Sequence, residues 1–262
     1  MSSWFRGIGK LRATNYEHIC YQLSACKQIT MIGIISDAHG NSPAFELAIR
    51  LLKKKGARRF IFLGDAIRYI PTVSVLHSIR KLNDQIQCIS GNHEAILVSG
   101  KYNMQKEPVY QHILTSEHIT DGFLSFIKTW PKKIELDHPV GNALYVHGSP
   151  NDFTNEYVYP DTDLKQFSVR QSFVFMGHTH RPFIKKNGKT TFVNVGSCGL
   201  PRDHGTLGSA ALFDEYTGEV RILRFEIKQE LKQVKELFSG IHSSIWALQQ
   251  RNPQTYIGEI IE

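Results

Sequence analysis

Two histidines stand directly after a short apolar run near the middle of the chain. Phe173 to Met176 is apolar, Gly177 closes the run, and His178 and His180 follow. Four apolar residues closed by a glycine predict a short buried strand, which would place both imidazoles at the rim of a sheet. Imidazole nitrogen is a preferred ligand of divalent transition metals. A lone His-x-His pair is more often a pair of surface histidines, so a metal site needs support from elsewhere in the chain.

Four other predicted strands end in the same way. These strands cover residues 32–35, 59–63, 86–89 and 143–146. The residues that follow them are Asp37 and His39, then Asp65, then Asn92 and His93, and finally His147. Open α/β sheets bind ligands beyond the carboxyl ends of their strands. We therefore expect the five strand ends to build one site.

The number of candidate ligands points to two metal ions. With His93 set aside, the strand ends supply two aspartates, one asparagine and four histidines. One ion takes about four to six ligands, so this set suits two ions that share a carboxylate, about 3.5–4 Å apart. Asp65 follows a central strand and is the natural bridge. Mixed carboxylate and imidazole ligands favour manganese, iron, zinc or cobalt over magnesium or calcium. We expect two divalent transition-metal ions, manganese first, with nickel as a further alternative.

Strands and helices alternate in the front half of the chain. Ser42 is predicted to cap a helix that begins at Pro43, and further helices are predicted over 71–82 and 108–128. This alternation predicts a parallel sheet with helices on its faces. The back half predicts two hairpins, over 183–195 and 212–227, and the first of them turns at an Asn-Gly pair.

Composition narrows the class of protein and its partners. The 262 residues include 31 basic and 24 acidic side chains, a net charge of +7, which favours anionic partners such as phosphates. The basic residues form no stripe, which disfavours nucleic acid. No apolar run approaches the roughly 20 residues that span a bilayer. The four cysteines form no C-x-x-C pair, and we expect a reduced, cytoplasmic environment.

Three segments are expected along the chain. Residues 1–30 form a basic N-terminal extension, either disordered or preceding an alternative start at Met31. Residues 31–227 contain all the predicted strands and form the catalytic domain. Residues 228–262 form a helical C-terminal segment that packs on this domain.

The motifs at the strand ends resemble those of the calcineurin-like metallophosphoesterase superfamily, especially its compact bacterial and archaeal phosphodiesterase-type branch. They are Asp37-Ala-His39, Gly64-Asp65, Gly91-Asn-His-Glu94, His147-Gly148 and Gly177-His-Thr-His180. The resemblance implies a four-layer αββα sandwich, in which two mixed β-sheets are flanked by helices. It implies a first metal site made by Asp37, His39, Asp65 and His180. It implies a second site made by Asp65, Asn92, His147 and His178.

The resemblance and the predicted ligands imply a binuclear-metal phosphoesterase, foremost a phosphodiesterase. A hydroxide that bridges the two metals would attack phosphorus in line. His93 is assigned to protonating the leaving oxygen or stabilising the transition state, with metal-binding and structural roles as alternatives. Asn41, Arg68 and Arg202 are candidate substrate contacts, since arginine offers phosphate a two-pronged donor. The expected substrate is a small phosphate ester, nucleotide-derived esters included.

One departure from the family motifs limits the choice of substrate. Ala66-Ile-Arg68 stands where phosphoprotein phosphatases of this superfamily have Asp-Arg-Gly after the Gly-Asp motif, so a Ser/Thr phosphatase is disfavoured. The open alternatives are a dinucleoside-polyphosphate hydrolase, a phosphomonoesterase, a nuclease and a catalytically silent scaffold, as in a subunit of an endosomal sorting coat. The oligomeric state stays open, homo-oligomers included.

Overall fold

Two mixed β-sheets form the centre of the protein, for which a computed structural model describes residues 31–262. The predicted extension, residues 1–30, lies outside the described residues. The strands are β1 Met31–Ile35, β2 Ala57–Phe62, β3 Ile86–Cys88, β4 Lys133–His138, β5 Gly141–Val146, β6 Phe173–Met176, β7 Phe183–Asn187, β8 Thr190–Asn194, β9 Leu207–Asp214, β10 Val220–Glu226 and β11 Glu259–Ile260. The first sheet has the order β11-β10-β9-β1-β2-β3, and the second has the order β4-β5-β6-β8-β7.

Parallel strands carry the predicted site residues in both sheets. In the first sheet β1 pairs in parallel with β2, and β2 with β3. In the second sheet β6 runs parallel to both β5 and β8. The predicted hairpins form as antiparallel pairs, β7 with β8 and β9 with β10. The carboxyl ends of the parallel strands therefore meet at one end of the sandwich.

The helices are mostly short. They are α1 Ser42–Lys54, α2 Ser74–Leu82, α3 Asn92–Ser99, α4 Glu107–Tyr110, α5 His112–Glu117, α6 Asp121–Lys128, α7 Lys228–Leu237 and α8 Ser243–Ala247, with 3₁₀ turns at Asn83–Gln85, Met104–Lys106, Leu164–Gln166 and Leu248–Gln250. Within residues 31–262 no helix combines the length and the apolar character that a membrane crossing requires.

Each central strand buries both of its faces, which explains its continuous apolar sequence. In β2, Phe60 and Phe62 pack towards the helices, whereas Ile61 packs between the sheets. In β6, Phe175 packs between the sheets and Val174 packs on the opposite side. Successive side chains of a strand alternate between its faces, so a strand covered on both sides contains apolar residues throughout.

The two sheets differ in what covers their outer faces. Helices α1, α2 and α7 supply Phe45, Leu76 and Leu231 to the core outside the first sheet. The core outside the second sheet is completed by Val158 and Phe167, from the segment 150–172, whose regular structure is a single 3₁₀ turn. The α/β fold with two mixed sheets and flanking helices is confirmed, but a loop covers most of the second sheet.

Several predicted boundaries differ from the structure. Asn41, rather than Ser42, caps α1, because its side chain accepts a hydrogen bond from the backbone N–H of Ala44. The predicted helix over 71–82 begins only at Ser74. The predicted helix over 108–128 is three helices, because Gln111 adopts a left-handed conformation and Thr120 caps a new start. Strand β4 was not predicted.

The C-terminal segment packs on the domain through both a helix and a strand. Leu231 and Val234 of α7 are buried in the helical core. Strand β11 adds to the edge of the first sheet, parallel to β10, which the sequence did not indicate. That residues 228–262 fold as a separate unit on a catalytic domain of 31–227 stays a prediction.

A buried ion pair attaches the loop after β8 to the first sheet. The Arg224 side chain is fully buried and donates to Asp203 Oδ2 at 2.6 Å and Oδ1 at 3.1 Å. We expect Asp203→Ala to lower the free energy of unfolding by about 3–5 kcal/mol, since it leaves a buried cation without its carboxylate. Urea titration checks this value. The exposed Lys133–Glu135 pair is the control, and Glu135→Ala should cost under about 1 kcal/mol. Equal effects of the two substitutions would contradict the prediction.

Candidate metal centre

Five candidate ligands have a backbone conformation that is rare for residues other than glycine. They are Asp37 (φ 57°), His39 (φ 50°), Asp65 (φ 60°), His178 (φ 67°) and His180 (φ 58°). The left-handed region is sterically costly for residues with a Cβ, at about 1–3 kcal/mol each, and such strain clusters at functional sites. The turns after β1, β2 and β6 therefore hold these side chains in strained but defined positions.

Two glycines allow these turns to approach each other closely. A Cβ at Gly91 would overlap the Oδ1 atom of Asp65. A Cβ at Gly177 would overlap Ser36 Oγ and would stand 2.7 Å from Asp37 Oδ2. Asp65 Oδ1 also accepts from the His93 N–H, and Asp37 Oδ2 accepts from the His178 N–H, each at 3.0 Å. One oxygen of each carboxylate is thus fixed by the backbone, which leaves the other oxygen to face the site.

A first group of ligand atoms comes from Asp37, His39 and His180. The Nε2 atoms of the two histidines lie 3.0 Å apart. Asp37 Oδ1 lies 3.5 Å from His39 Nε2 and 3.2 Å from His180 Nε2. These three ligand atoms could surround one cation.

A second group comes from Asn92, His147 and His178. His147 Nε2 lies 3.1 Å from both Asn92 Oδ1 and His178 Nδ1. The ring of Tyr157 stacks on His178 with a centroid separation of 3.9 Å and supports its orientation. Asp65 joins His147 and His178 in a second set of atoms that could hold a cation.

Asp65 lies between the two groups. Its Oδ2 atom is 3.8 Å from His39 Nε2 in the first group and 3.2 Å from His147 Nε2 in the second. The same oxygen lies 3.8 Å from His93 Nε2. This position is the one expected of a bridging carboxylate.

Backbone carbonyls determine which nitrogen of each imidazole faces the centre. His147 Nδ1 donates to Leu63 O at 2.7 Å, and His180 Nδ1 donates to Leu200 O at 2.5 Å. His178 uses the other ring nitrogen, and Nε2 donates to Asn155 O at 3.0 Å. A carbonyl only accepts, so each facing nitrogen carries the proton. The remaining ring nitrogens present lone pairs to the site, an arrangement typical of metal-binding histidines.

Burial and neighbouring charges determine the protonation of these ligands. Burial lowers the pKa of His180 to about 3 and that of His178 to about 4, so both rings stay neutral. Burial opposes ionisation of Asp37 and Asp65, but the adjacent histidines hold the pKa of both carboxyls well below the usual value. Burial also disfavours the His147 cation, but the Asp65 carboxylate outweighs it and raises the pKa of His147 to about 9.

The arrangement fits a pair of bound cations. Asp37 Oδ1 is buried and makes no hydrogen bond within residues 31–262. Two lone-pair nitrogens also face each other at 3.1 Å, His147 Nε2 and His178 Nδ1, and neutral acceptors at this distance repel. Cations between these atoms would satisfy them. Oxygen and imidazole donors together suit first-row transition metals.

His93 stands beside the two groups. It begins α3, is buried, and approaches Asp65 through Nε2. Its ring packs against Tyr69 at a centroid separation of 5.2 Å and against His39 at 5.0 Å. The Nδ1 atom has no hydrogen-bond partner among the described residues. The acid that pairs with the equivalent histidine in phosphoprotein phosphatases is therefore absent from this part of the chain.

The three candidate substrate contacts lie in different surroundings. Arg202 is partly buried, donates to Tyr69 OH at 3.0 Å, and receives its own backbone hydrogen bond from His180 O. Asn41 is fully buried, and its side chain bonds both Ala44 N and Gly199 O, which makes it a support for the turn after β1. Arg68 is buried on the loop after β2.

Glu94 is a site residue to which the sequence alone gave no role. It is fully buried and accepts hydrogen bonds from the backbone N–H groups of Asp65, Ala66 and Gly91, at 2.8, 2.8 and 2.9 Å. Its carboxylate joins the turn after β2 to the start of α3. The signal was present in the sequence, because a Glu three residues after a helix cap indicates a capping box.

Glu94→Gln is expected to weaken metal binding about 10–100-fold, because an amide cannot accept all three N–H groups and the Asp65 turn relaxes. Isothermal titration with manganese checks the dissociation constant. Glu46→Gln is the matched control, since Glu46 is exposed and accepts only from the hydroxyls of Ser42 and Ser78. Unchanged manganese affinity in Glu94→Gln would contradict the assigned role.

Comparison with known proteins agrees with the fold and the motifs. A family described as the calcineurin-like phosphoesterase superfamily domain matches residues 31–218. An uncharacterized protein of Methanocaldococcus jannaschii is 28% identical over 229 residues, which cover 78% of this chain and 92% of the relative. Two solved structures share the fold. A metallophosphoesterase from Sphaerobacter thermophilus has a TM-score of 0.67 and 23% identity, covering 85% of this chain and 98% of the other.

The second solved structure is a hypothetical protein from Pyrococcus horikoshii. It has a TM-score of 0.71 and 16% identity, covering 88% of this chain and all of the other. Both structures support the two-sheet fold at low sequence identity. The family match extends from β1 to the turn between β9 and β10 and includes every predicted ligand. The chain therefore belongs to the calcineurin-like phosphoesterase superfamily.

Proposed function

We propose that this protein is a phosphoric ester hydrolase that depends on two divalent metal ions and acts foremost on phosphodiesters. The observation that carries the proposal is the convergence of two carboxylates and four imidazoles. Backbone hydrogen bonds turn ligand atoms of both carboxylates and of at least three of these rings towards the centre. Asp37, His39, Asp65 and His180 would hold one ion. Asp65, Asn92, His147 and His178 would hold the other.

When bound, the two ions would supply Lewis acidity to the phosphoryl oxygens and lower the pKa of a water molecule. The protein contributes charge and position. The two aspartates, whose pKa values are lowered, carry the negative charge that retains the cations. Arg202 can donate to a non-bridging phosphoryl oxygen, and its bond to Tyr69 OH fixes the guanidinium.

His93 is assigned to the leaving group. Burial lowers the pKa of His93 well below its usual value, although Asp65 favours the cation. A ring that is neutral in the resting site gains its proton most readily when negative charge is close, as on a bound phosphate ester. The protonated ring would then deliver this proton to the departing oxygen.

Two alternatives differ in what the site residues imply. A catalytically silent scaffold would need no metal ligands, whereas all seven predicted ligands and His93 are present and converge. A Ser/Thr phosphatase is disfavoured because His93 Nδ1 has no acidic partner within residues 31–262. Dinucleoside polyphosphates and phosphomonoesters use the same chemistry, so the choice between them belongs to experiment.

A substrate panel tests the proposal. Manganese, cobalt, nickel, zinc and magnesium would each be supplied with an aryl phosphomonoester, an aryl phosphodiester, a cyclic nucleotide and a dinucleoside polyphosphate. We expect the highest kcat/KM with manganese and the phosphodiester, and no turnover after chelation. A protein that binds metal but turns over no ester with any metal would be the scaffold.

Metal uptake should become tighter as pH rises. The pKa of His147 is raised to about 9, so the ring is protonated at pH 7 in the metal-free protein and must lose its proton before it binds a cation. The dissociation constant for manganese should fall by about tenfold per pH unit between pH 6 and 8 and level off near 9. Equilibrium dialysis at fixed ionic strength measures it. A constant that does not vary with pH would contradict this protonation state.

A further inference from the structure

Arg68 is a buried cation without a partner. Its side chain is 1% exposed, yet Nε, Nη1 and Nη2 make no hydrogen bond to any described residue. Its backbone is also strained, with φ at 76°, a value that is a genuine outlier for a bulky residue. Burial lowers the pKa of Arg68 to about 10, so the guanidinium stays charged at neutral pH.

His112 repeats this feature on a neighbouring element. It begins α5, is 1% exposed, and neither Nδ1 nor Nε2 has a hydrogen-bond partner in the part of the chain that the structure describes. The preceding residue, Gln111, holds the chain in a left-handed conformation with φ at 49°. Two strained backbones thus bring two polar side chains without acceptors into the interior.

Tyr110 connects both groups to His93. The Arg68 guanidinium lies over the Tyr110 ring, 5.1 Å from its centroid. The same ring lies 5.4 Å from His93 and 5.5 Å from His112, and the two histidine rings are nearly parallel, 6.5 Å apart. Arg68 also lowers the pKa of both His93 and His112, which places its charge near both rings.

The donors outnumber the acceptors in this cluster. Arg68 offers five N–H donors, and His112 and His93 Nδ1 can each add one. A buried arginine without an acceptor costs several kcal/mol, and a protein retains such a group where a partner arrives from outside. The partner that satisfies a guanidinium and an imidazole together is an oxyanion.

We propose that Arg68, His112 and His93 Nδ1 form a subsite for a second anionic group of the substrate, a carboxylate or phosphate on its leaving group. The subsite adjoins His93, the residue assigned to the leaving oxygen, whereas Arg202 lies by His180 at the scissile phosphate. This inference rests on the proposed function and narrows it to esters whose leaving group is itself charged.

Matched substrates test the subsite. Methyl aryl phosphodiesters would carry a carboxylate on the leaving ring at the ortho, meta or para position, and each would be compared with the carboxamide of the same shape. In the manganese-loaded protein we expect at least one carboxylate to exceed its amide in kcat/KM by about 10–100-fold. Arg68→Met and His112→Phe should each remove most of this preference.

Arg80→Met provides the control for the arginine substitution. Arg80 also lies over aromatic rings, 4.3 Å from the centroid of Phe123, but at the surface on α2. It should leave the carboxylate preference unchanged. Thermal unfolding supplies a second measurement, in which Arg68→Met should melt at or above the wild-type temperature, because it removes an unpaired buried charge.

Three results would overturn the subsite. The first is a wild-type protein that hydrolyses the amides but prefers none of the carboxylates. The second is a preference that persists in Arg68→Met. The third is a large fall in melting temperature in Arg68→Met, which would assign Arg68 to the fold. Sulfate that stabilises wild type but not Arg68→Met, without any substrate preference, would assign the site to a free inorganic anion. A protein that hydrolyses neither member of any pair would instead refute the proposed function.

Discussion

Asp65→Asn is expected to lower kcat for a phosphodiester by about 10³-fold or more, since the bridging carboxylate contributes to both metal sites. Asp65 Oδ2 lies near nitrogens of both ligand groups, and Oδ1 is already used by the His93 N–H. An amide of the same size keeps the packing but lacks the charge that offsets two divalent cations. The loss of activity should be accompanied by a loss of bound metal.

Steady-state kinetics and metal analysis after dialysis measure the two effects together. Asp84→Asn is the control, because Asp84 is exposed in the 3₁₀ turn after α2. It makes the same chemical change outside the site and should alter neither activity nor metal content. An Asp65→Asn protein that keeps two metal ions and more than about a tenth of its activity would show that Asp65 is not the bridge.

His93→Gln is expected to lower kcat by about 10²–10⁴-fold, the usual contribution of a positioned general acid, while the bound metal stays at the wild-type amount. His93 Nε2 is 3.8 Å from Asp65 Oδ2, beside the ligand groups. The loss should be smallest for a p-nitrophenolate leaving group, which departs without a proton, and largest for an alkoxide. This dependence on the leaving group separates proton donation from a purely structural role.

His77→Gln is the matched control for His93, because His77 is exposed on α2 and packs only on Phe123, at a centroid separation of 4.7 Å. Its activity should equal that of wild type with every leaving group. Loss of metal in His93→Gln would instead make His93 a ligand. A loss of the same size for p-nitrophenolate and alkoxide would exclude proton transfer to the leaving oxygen.

The sequence predicted those features of the fold that depend on local patterns. Apolar runs closed by polar turns identified β1, β2, β3, β5 and β6, and the Asn187-Gly188 pair identified the β7–β8 hairpin. Because parallel strands share one carboxyl edge, listing the residues after each strand was enough to bring distant ligands together. Asp37 and His180, which are 143 positions apart, lie within 3.2 Å of each other.

Other features depend on contacts that no local pattern records. Arg224 and Asp203 form a buried pair across a loop, and neither residue type indicates burial by itself. Strand β4 has an alternating pattern, Lys133–His138, that also suits an exposed loop. The left-handed backbone at Arg68 and Gln111 follows from packing around the site, because both residues ordinarily avoid it. The cluster around His93 was therefore hidden until the structure placed these residues together.

The most direct test of the central claim is anomalous diffraction at the manganese edge from crystals grown with manganese. We predict two peaks, about 3.5–4 Å apart, with Asp65 between them. One peak should lie against Asp37 and His180, and the other against His147 and His178. A single peak, or peaks away from Asp65, would contradict a two-metal centre.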